Sequence, residues 1–151
     1  MKNIFLSLFF VLSFSACSSS TTDPHEEVKT SNCDQFTIID PVNYGSINNN
    51  PPLQGVTIDQ LSIVGDCLKI KYNSSGCNGN TWVVKLYSDG ALDTSTTPAT
   101  RKVKFNFSNQ EVCLAQFWKE TSFDIESLRA PGANSVQIKL ENNSQTIIYN
   151  Y

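Results

Sequence analysis

Five side chains in this sequence are nucleophilic sulfurs, Cys17, Cys33, Cys67, Cys77 and Cys113, and their neighbours decide what chemistry they do. A reactive thiolate needs a base within hydrogen-bonding reach, usually a histidine. The only histidine, His25, stands in a polar stretch without apolar periodicity, where no fixed geometry is expected. Zinc would call for closely spaced cysteines or histidines, yet there is no CxxC pair and no histidine near the four later cysteines. With Cys17 set aside, those four form an even set, which in an oxidising compartment reads as two disulfides with three possible connectivities. The expected pairing is Cys33–Cys67 and Cys77–Cys113, the first pinning the incoming chain and the second clasping two strands. Each bridge would close a loop of about 35 residues, contributing about 3 to 4 kcal/mol in the chain-entropy account.

Paired carboxylates are the remaining route to acid–base catalysis. Asp34, Asp40, Asp59, Asp66, Asp89, Asp93, Glu111, Glu120, Asp124, Glu126 and Glu141 are the candidates. Most fall in turns or at strand ends, where solvated acids ordinarily sit. No Gly-rich phosphate loop and no calcium-loop spacing occurs, and Asp89 and Asp93 beside Gly90 are too few to hold a cation. The expectation is a non-catalytic chain without metal or cofactor.

Binding chemistry has two possible sources. Lys69, Lys71, Lys85, Lys102 and Lys104 alternate with apolar residues, with Arg101 beside them. If their strands share a sheet, they make a basic stripe able to steer an anionic partner such as lipid head groups, acidic glycan or protein. The plainer alternative is a lysine-decorated solvent face that discourages edge pairing. Trp118, Tyr44, Tyr87 and Tyr151 could instead offer flat rings to a sugar, whereas Trp82, Phe105, Phe107 and Phe117 fit a core. Without Lys2, 10 basic residues face 14 acidic ones, a balance that gives nucleic-acid binding no support.

The start of the chain carries an address. Lys2 precedes an apolar run from Ile4 to Leu12, and small residues Ser13, Ser15 and Ala16 lead into Cys17. The run is too short to span a bilayer and has the layout of an export signal. Phe14-Ser15-Ala16-Cys17 resembles a lipobox, in which the cysteine thiol takes a diacylglycerol before cleavage. That resemblance implies lipidation at Cys17, an anchor that is close to permanent at about 0.8 kcal/mol per buried methylene. Ser18, rather than Asp, follows the cysteine, which by the enteric sorting rule implies the outer membrane. Periplasmic and surface faces both stay open. An ordinary signal peptide with Cys17 incidental is the alternative.

Three segments follow: residues 1–16 as signal peptide, 17–32 as a Ser/Thr-rich lipidated tether, and 33–151 as one domain. From Cys33 onward the apolar period is two, the period of strands. Strands are expected at Phe36–Ile39, Val56–Val64, Cys67–Tyr72, Trp82–Leu86, Lys102–Phe107, Glu111–Trp118, Val136–Leu140 and Ile147–Tyr151, with a loop over Pro41–Gly55. Ser122–Leu128 breaks the period as a helical turn or crossing. The fold class expected is all-β: a single antiparallel immunoglobulin-like β-sandwich of about seven or eight strands with two disulfides. Leu128, Pro131 and Gly132 ahead of Val136, Ile138 and Leu140 resemble the corner before a late strand in immunoglobulin-like and fibronectin type III domains.

The wider pattern resembles small uncharacterised lipoproteins of Bacteroidota. It is carried by Cys67-Leu68-Lys69-Ile70, Ser75-Gly76-Cys77, Trp82–Tyr87, Glu111-Val112-Cys113, Phe123-Asp124-Ile125 and Ile147–Tyr151. These motifs are structural and imply no activity. The function expected is an envelope-anchored binding or structural module, such as an accessory subunit of an outer-membrane assembly. A glycan-binding lipoprotein, or a protease-inhibitor or immunity-type protein using the Gly90–Ala99 loop, are the alternatives.

Overall fold

The computed structural model describes residues 31–47 and 55–151. Cys17, the signal segment, His25 and Asn48-Asn49-Asn50-Pro51-Pro52 lie outside the described residues.

Nine strands build two sheets. They are β1 (Gln35–Phe36), β2 (Ile38–Ile39), β3 (Val56–Val64), β4 (Cys67–Gly76), β5 (Val83–Asp93), β6 (Thr100–Ser108), β7 (Ala115–Asp124), β8 (Ser135–Leu140) and β9 (Gln145–Asn150). One sheet has the order β1-β7-β4-β3 and the other β2-β5-β6-β8-β9. The period-two residues do what alternation demands: along β4, Leu68, Ile70 and Tyr72 are buried while Lys69, Lys71 and Asn73 face outward. The inner faces meet in one core through Phe105, Phe123, Ile138, Leu140 and Tyr149, all fully buried. Tyr72, Phe105, Phe107 and Trp82 stack through it with ring centroids 5.1 to 6.2 Å apart.

Several expectations about the fold are corrected. The sandwich is not purely antiparallel, because β1–β7, β2–β5 and β6–β8 pair in parallel. Alternation places side chains in or out but says nothing of a strand's neighbours or their direction. After β6 the chain crosses to the other sheet as β7, then returns through a 3-10 turn at Glu126–Leu128 to lay β8 beside β6. Leu128 is fully buried at that corner. The strand count is also higher, because the expected Phe36–Ile39 strand is two. Thr37 steps between the sheets, its N–H held by Asp124 O at 3.1 Å, so β1 joins one sheet and β2 the other.

The loop expected over Pro41–Gly55 begins with a helix, α1 (Pro41–Ser46). Asp40 caps it by accepting the N–H groups of Val42 and Asn43 at 3.0 Å, and Pro41 sits in its first turn. The strand expected at Glu111–Trp118 starts later, at Ala115, and continues through Ser122–Asp124, where a period break was expected.

Candidate functional site

The basic stripe does not assemble. Lys69 and Lys71 lie on β4, whereas Lys85, Lys102 and Lys104 belong to β5 and β6 in the other sheet. Three of the lysines face carboxylates: Lys69 to Glu120 at 3.5 Å, Lys71 to Asp59 at 3.6 Å and Lys102 to Glu141 at 3.6 Å. Lys85 is exposed. Lys104 is the clearest correction, because it is 2% exposed rather than solvent-facing. Helix α1 covers it, its ammonium donating to Tyr44 O at 2.8 Å and Ile47 O at 3.1 Å above the Tyr44 ring. It fastens the helix to the sheet, and alternation along β6 gave no sign that its solvent face would be roofed.

The aromatic platform does not assemble either. Tyr44 and Tyr87 are buried. Tyr44 Oη donates to Glu141 at 2.6 Å, and burial, then this carboxylate, push its phenol well above the ordinary value. The Tyr151 hydroxyl accepts the Ala130 N–H at 2.7 Å. Trp118 alone among these rings is largely exposed, at 59%, on the outer face of the four-stranded sheet opposite Asn73. The Gly90–Ala99 segment is no free loop: β5 runs through Gly90 to Asp93, and Asp93 accepts the N–H and O–H of Ser95.

The two disulfides sit at opposite ends of β4, about 30 Å apart at strand rise. At the first pole, Cys33–Cys67 pins the incoming chain beside a cleft of about 770 Å³ lined by Asp34, Lys69, Glu120, Ser122, Asp124 and Glu126, among others. The carboxylates here have structural work. Asp34 accepts from Ser122 N at 2.8 Å and Ser122 Oγ at 2.7 Å, which holds it below the usual carboxylate range. Asp66 pairs with Arg129 at 2.7 Å and with the Tyr149 hydroxyl, and Arg129 lies over the Tyr149 and Tyr151 rings. No group of three or more His, Cys, Asp or Glu among the described residues could hold a metal ion.

The second pole is built differently. Cys77–Cys113 joins the turn after β4 to the segment before β7, and both cysteines are exposed. Inside this clasp the turn Cys77-Asn78-Gly79 curls so that successive N–H groups converge, the concave arrangement that binds anions. Its occupant is Glu111. One carboxylate oxygen accepts from the N–H groups of Cys77 at 2.6 Å, Asn78 at 3.1 Å and Gly79 at 2.9 Å. The other accepts from Thr81 N at 3.3 Å and Thr81 Oγ1 at 3.1 Å. Desolvation opposes the charge, but the converging N–H groups outweigh it and hold the carboxyl at about 2. Gly79 has φ +69°, and a Cβ there would meet the Lys119 side chain at 2.6 Å. Lys119 lies 5.4 Å from the Trp82 ring centroid and donates to Gly79 O.

This latch holds Val112 and Leu114 out in water, 90% and 88% exposed. Sequence reasoning missed them by placing them inside a strand. The signals were present: Gly76-Cys77-Asn78-Gly79 is a run of turn formers, and a second cysteine follows Glu111 by two residues. The arrangement presents an apolar tip held by a disulfide and the Glu111 hydrogen bonds.

No protein-family model and no curated protein matches the sequence. Among solved structures, the chain is similar to a protein of unknown function (DUF1344) from Bacteroides vulgatus, with TM-score 0.50 and 14% identity over 78% of this chain and 56% of that one. It is also similar to a NigD-like immunity protein from Bacteroides caccae, with TM-score 0.50 and 13% identity over 76% of this chain and 57% of that one. The chain thus spans little more than half the length of either. At these identities the likeness is one of fold, shared with proteins of Bacteroidota.

Proposed function

We propose that this chain is a non-catalytic, lipid-anchored envelope protein that binds another protein through the Val112–Leu114 loop. The observation that carries the reading is a pair of almost fully exposed aliphatic side chains on a loop fixed by a disulfide and five hydrogen bonds. Burying a Val or Leu yields about 1.5 to 3 kcal/mol each, and a loop already rigid loses little entropy on docking. The described chain enters at the Cys33–Cys67 pole, at the opposite end of β4 from the apolar tip. That placement supports a protein partner over insertion of the tip into the anchoring membrane. The buried Leu128 corner supports an immunoglobulin-like relationship for the sandwich.

An immunity-type role is the second reading, favoured by the fold shared with the NigD-like immunity protein. A sugar-binding role has less support, since Trp118 lacks neighbouring exposed rings. The test is affinity capture from solubilised envelope with crosslinking, comparing the native chain with a Val112→Asp/Leu114→Asp variant. A stoichiometric protein captured by the first and lost from the second is the expected result. Equal capture by both would remove the loop from the interface. Membrane fractionation of Cys17→Ala tests the anchor, and a variant still held in the membrane would overturn lipidation.

A further inference from the structure

We propose that two copies of this chain associate through β7, edge to edge and antiparallel, with Trp118 on the two-fold axis. The inference goes beyond the partner-binding reading and does not depend on it.

The starting point is an open edge. β1 covers β7 only at Phe123 and Asp124, so among the described residues no strand lies beside 115–121 on that side. The direction of the backbone groups follows from two bonds: Asp124 O accepts from Thr37, and Ser122 N donates to Asp34. In a strand, alternate residues point their N–H and C=O to the same side. Gln116, Trp118 and Glu120 therefore aim their N–H and C=O groups outward at the open edge.

The far edge of the same sheet carries guards. β3 has a register shift between Ile58 and Gln60 with Asp59 exposed beside it, the kind of bulge and charge that deters pairing. β7 has neither proline nor bulge. Its inward charge, Lys119, is engaged by Gly79 O and the Trp82 ring within its own chain.

The open window is self-complementary. Pairing two antiparallel copies about Trp118 sets Gln116 opposite Glu120 of the second copy, and the reverse. All three outward-facing positions then fall in hydrogen-bonded pairs, each exchanging two bonds. The tryptophans meet as a cross-strand aromatic pair, and each Glu120 faces an amide. An in-register parallel pairing would instead set Glu120 against Glu120, which is repulsive. The same patch used by both copies gives a closed two-fold dimer rather than a fibre. Asp34 and β1 close the window beyond Thr121, so Trp118 is the centre of the open 115–121 window.

The test is sedimentation velocity on the full chain carrying Cys17→Ala, which removes the lipid as a cause of association. A monomer–dimer equilibrium in the micromolar range is expected, and Trp118→Ala should weaken it about tenfold. Gln116→Pro should abolish it while leaving the monomer folded, because the lost N–H faces solvent in the monomer. Amide hydrogen exchange supplies a second measurement. The amides of Gln116, Trp118 and Glu120 should become protected as concentration rises. A monomer at hundreds of micromolar, a dimer indifferent to Gln116→Pro, or protection confined to other residues would each overturn the proposal.

Discussion

The two ends of the sandwich carry the same device and put it to opposite uses. Both have a disulfide closing a span of similar length, 34 residues for Cys33–Cys67 and 36 for Cys77–Cys113. At the first, Leu128 plugs the core, and Asp66, Arg129 and Tyr149 tie the β3–β4 turn to β9. At the second, the bridge and the Glu111 carboxylate hold Val112 and Leu114 away from the core. A disulfide at the closed pole is an aid to folding. At the open pole the same bond, with the Glu111 hydrogen bonds, holds an apolar tip in solvent.

Paired substitutions sharpen this contrast. Leu128→Ala should cost up to about 5 kcal/mol, the transfer loss plus an unfilled cavity. Leu114→Ala should stay within about 0.5 kcal/mol, as for other exposed positions. Urea unfolding of both measures the difference, and comparable losses would mean that Leu114 packs against the domain. Replacing either cysteine pair by serine should cost about 3 to 4 kcal/mol, since the closed loops are alike. Only loss of Cys77–Cys113 should weaken capture of a partner; equal weakening by both would end the division of labour. Smaller again is Asp66→Ala, at about 1 to 2 kcal/mol, because Tyr149 keeps Arg129 as one hydrogen-bond partner.

How far the sequence discloses these two poles differs between them. Period-two alternation marks Leu68, Ile70 and Tyr72 or Val136, Ile138 and Leu140 as core, and the structure buries all six. Leu128 is legible through the resemblance of Leu128, Pro131 and Gly132 to the corner before a late strand in immunoglobulin-like domains, and it is fully buried. The pairing Cys33–Cys67 and Cys77–Cys113, expected because the first would pin the incoming chain and the second clasp two strands, is the pairing present. Alternation fails where a third element intervenes. Lys104 occupies an outward position and would be wet but for α1, a six-residue helix signalled only by Asp40-Pro41. It also fails where a loop imitates a strand, as Glu111–Leu114 does. Sheet membership is the deepest gap. Five lysines in three strands look like one stripe until the chain's crossings place those strands in different sheets.

The most discriminating prediction at the open pole concerns Glu111. Its carboxyl is held at about 2, against an ordinary 4.5, because four backbone N–H groups that favour the charged form outweigh its desolvation. A folded-state value below the unfolded one contributes stability fully above pH 4.5 and loses it as pH falls through 2. Glu111→Gln removes the charge while keeping one acceptor oxygen. The variant should therefore be less stable than the native chain at neutral pH, by less than Asp66→Ala, because the site is near solvent and screened. The gap should narrow steadily below pH 4.5 and close near pH 2. Urea midpoints for both chains across that range measure it, with hydrogen exchange at Cys77, Asn78 and Gly79 locating the change. A gap independent of pH would mean that the carboxylate charge does not hold the loop, leaving the disulfide as its sole support. In that event the tip becomes mobile on reduction, and the contrast with the closed pole, where packing supports the bond, becomes sharper.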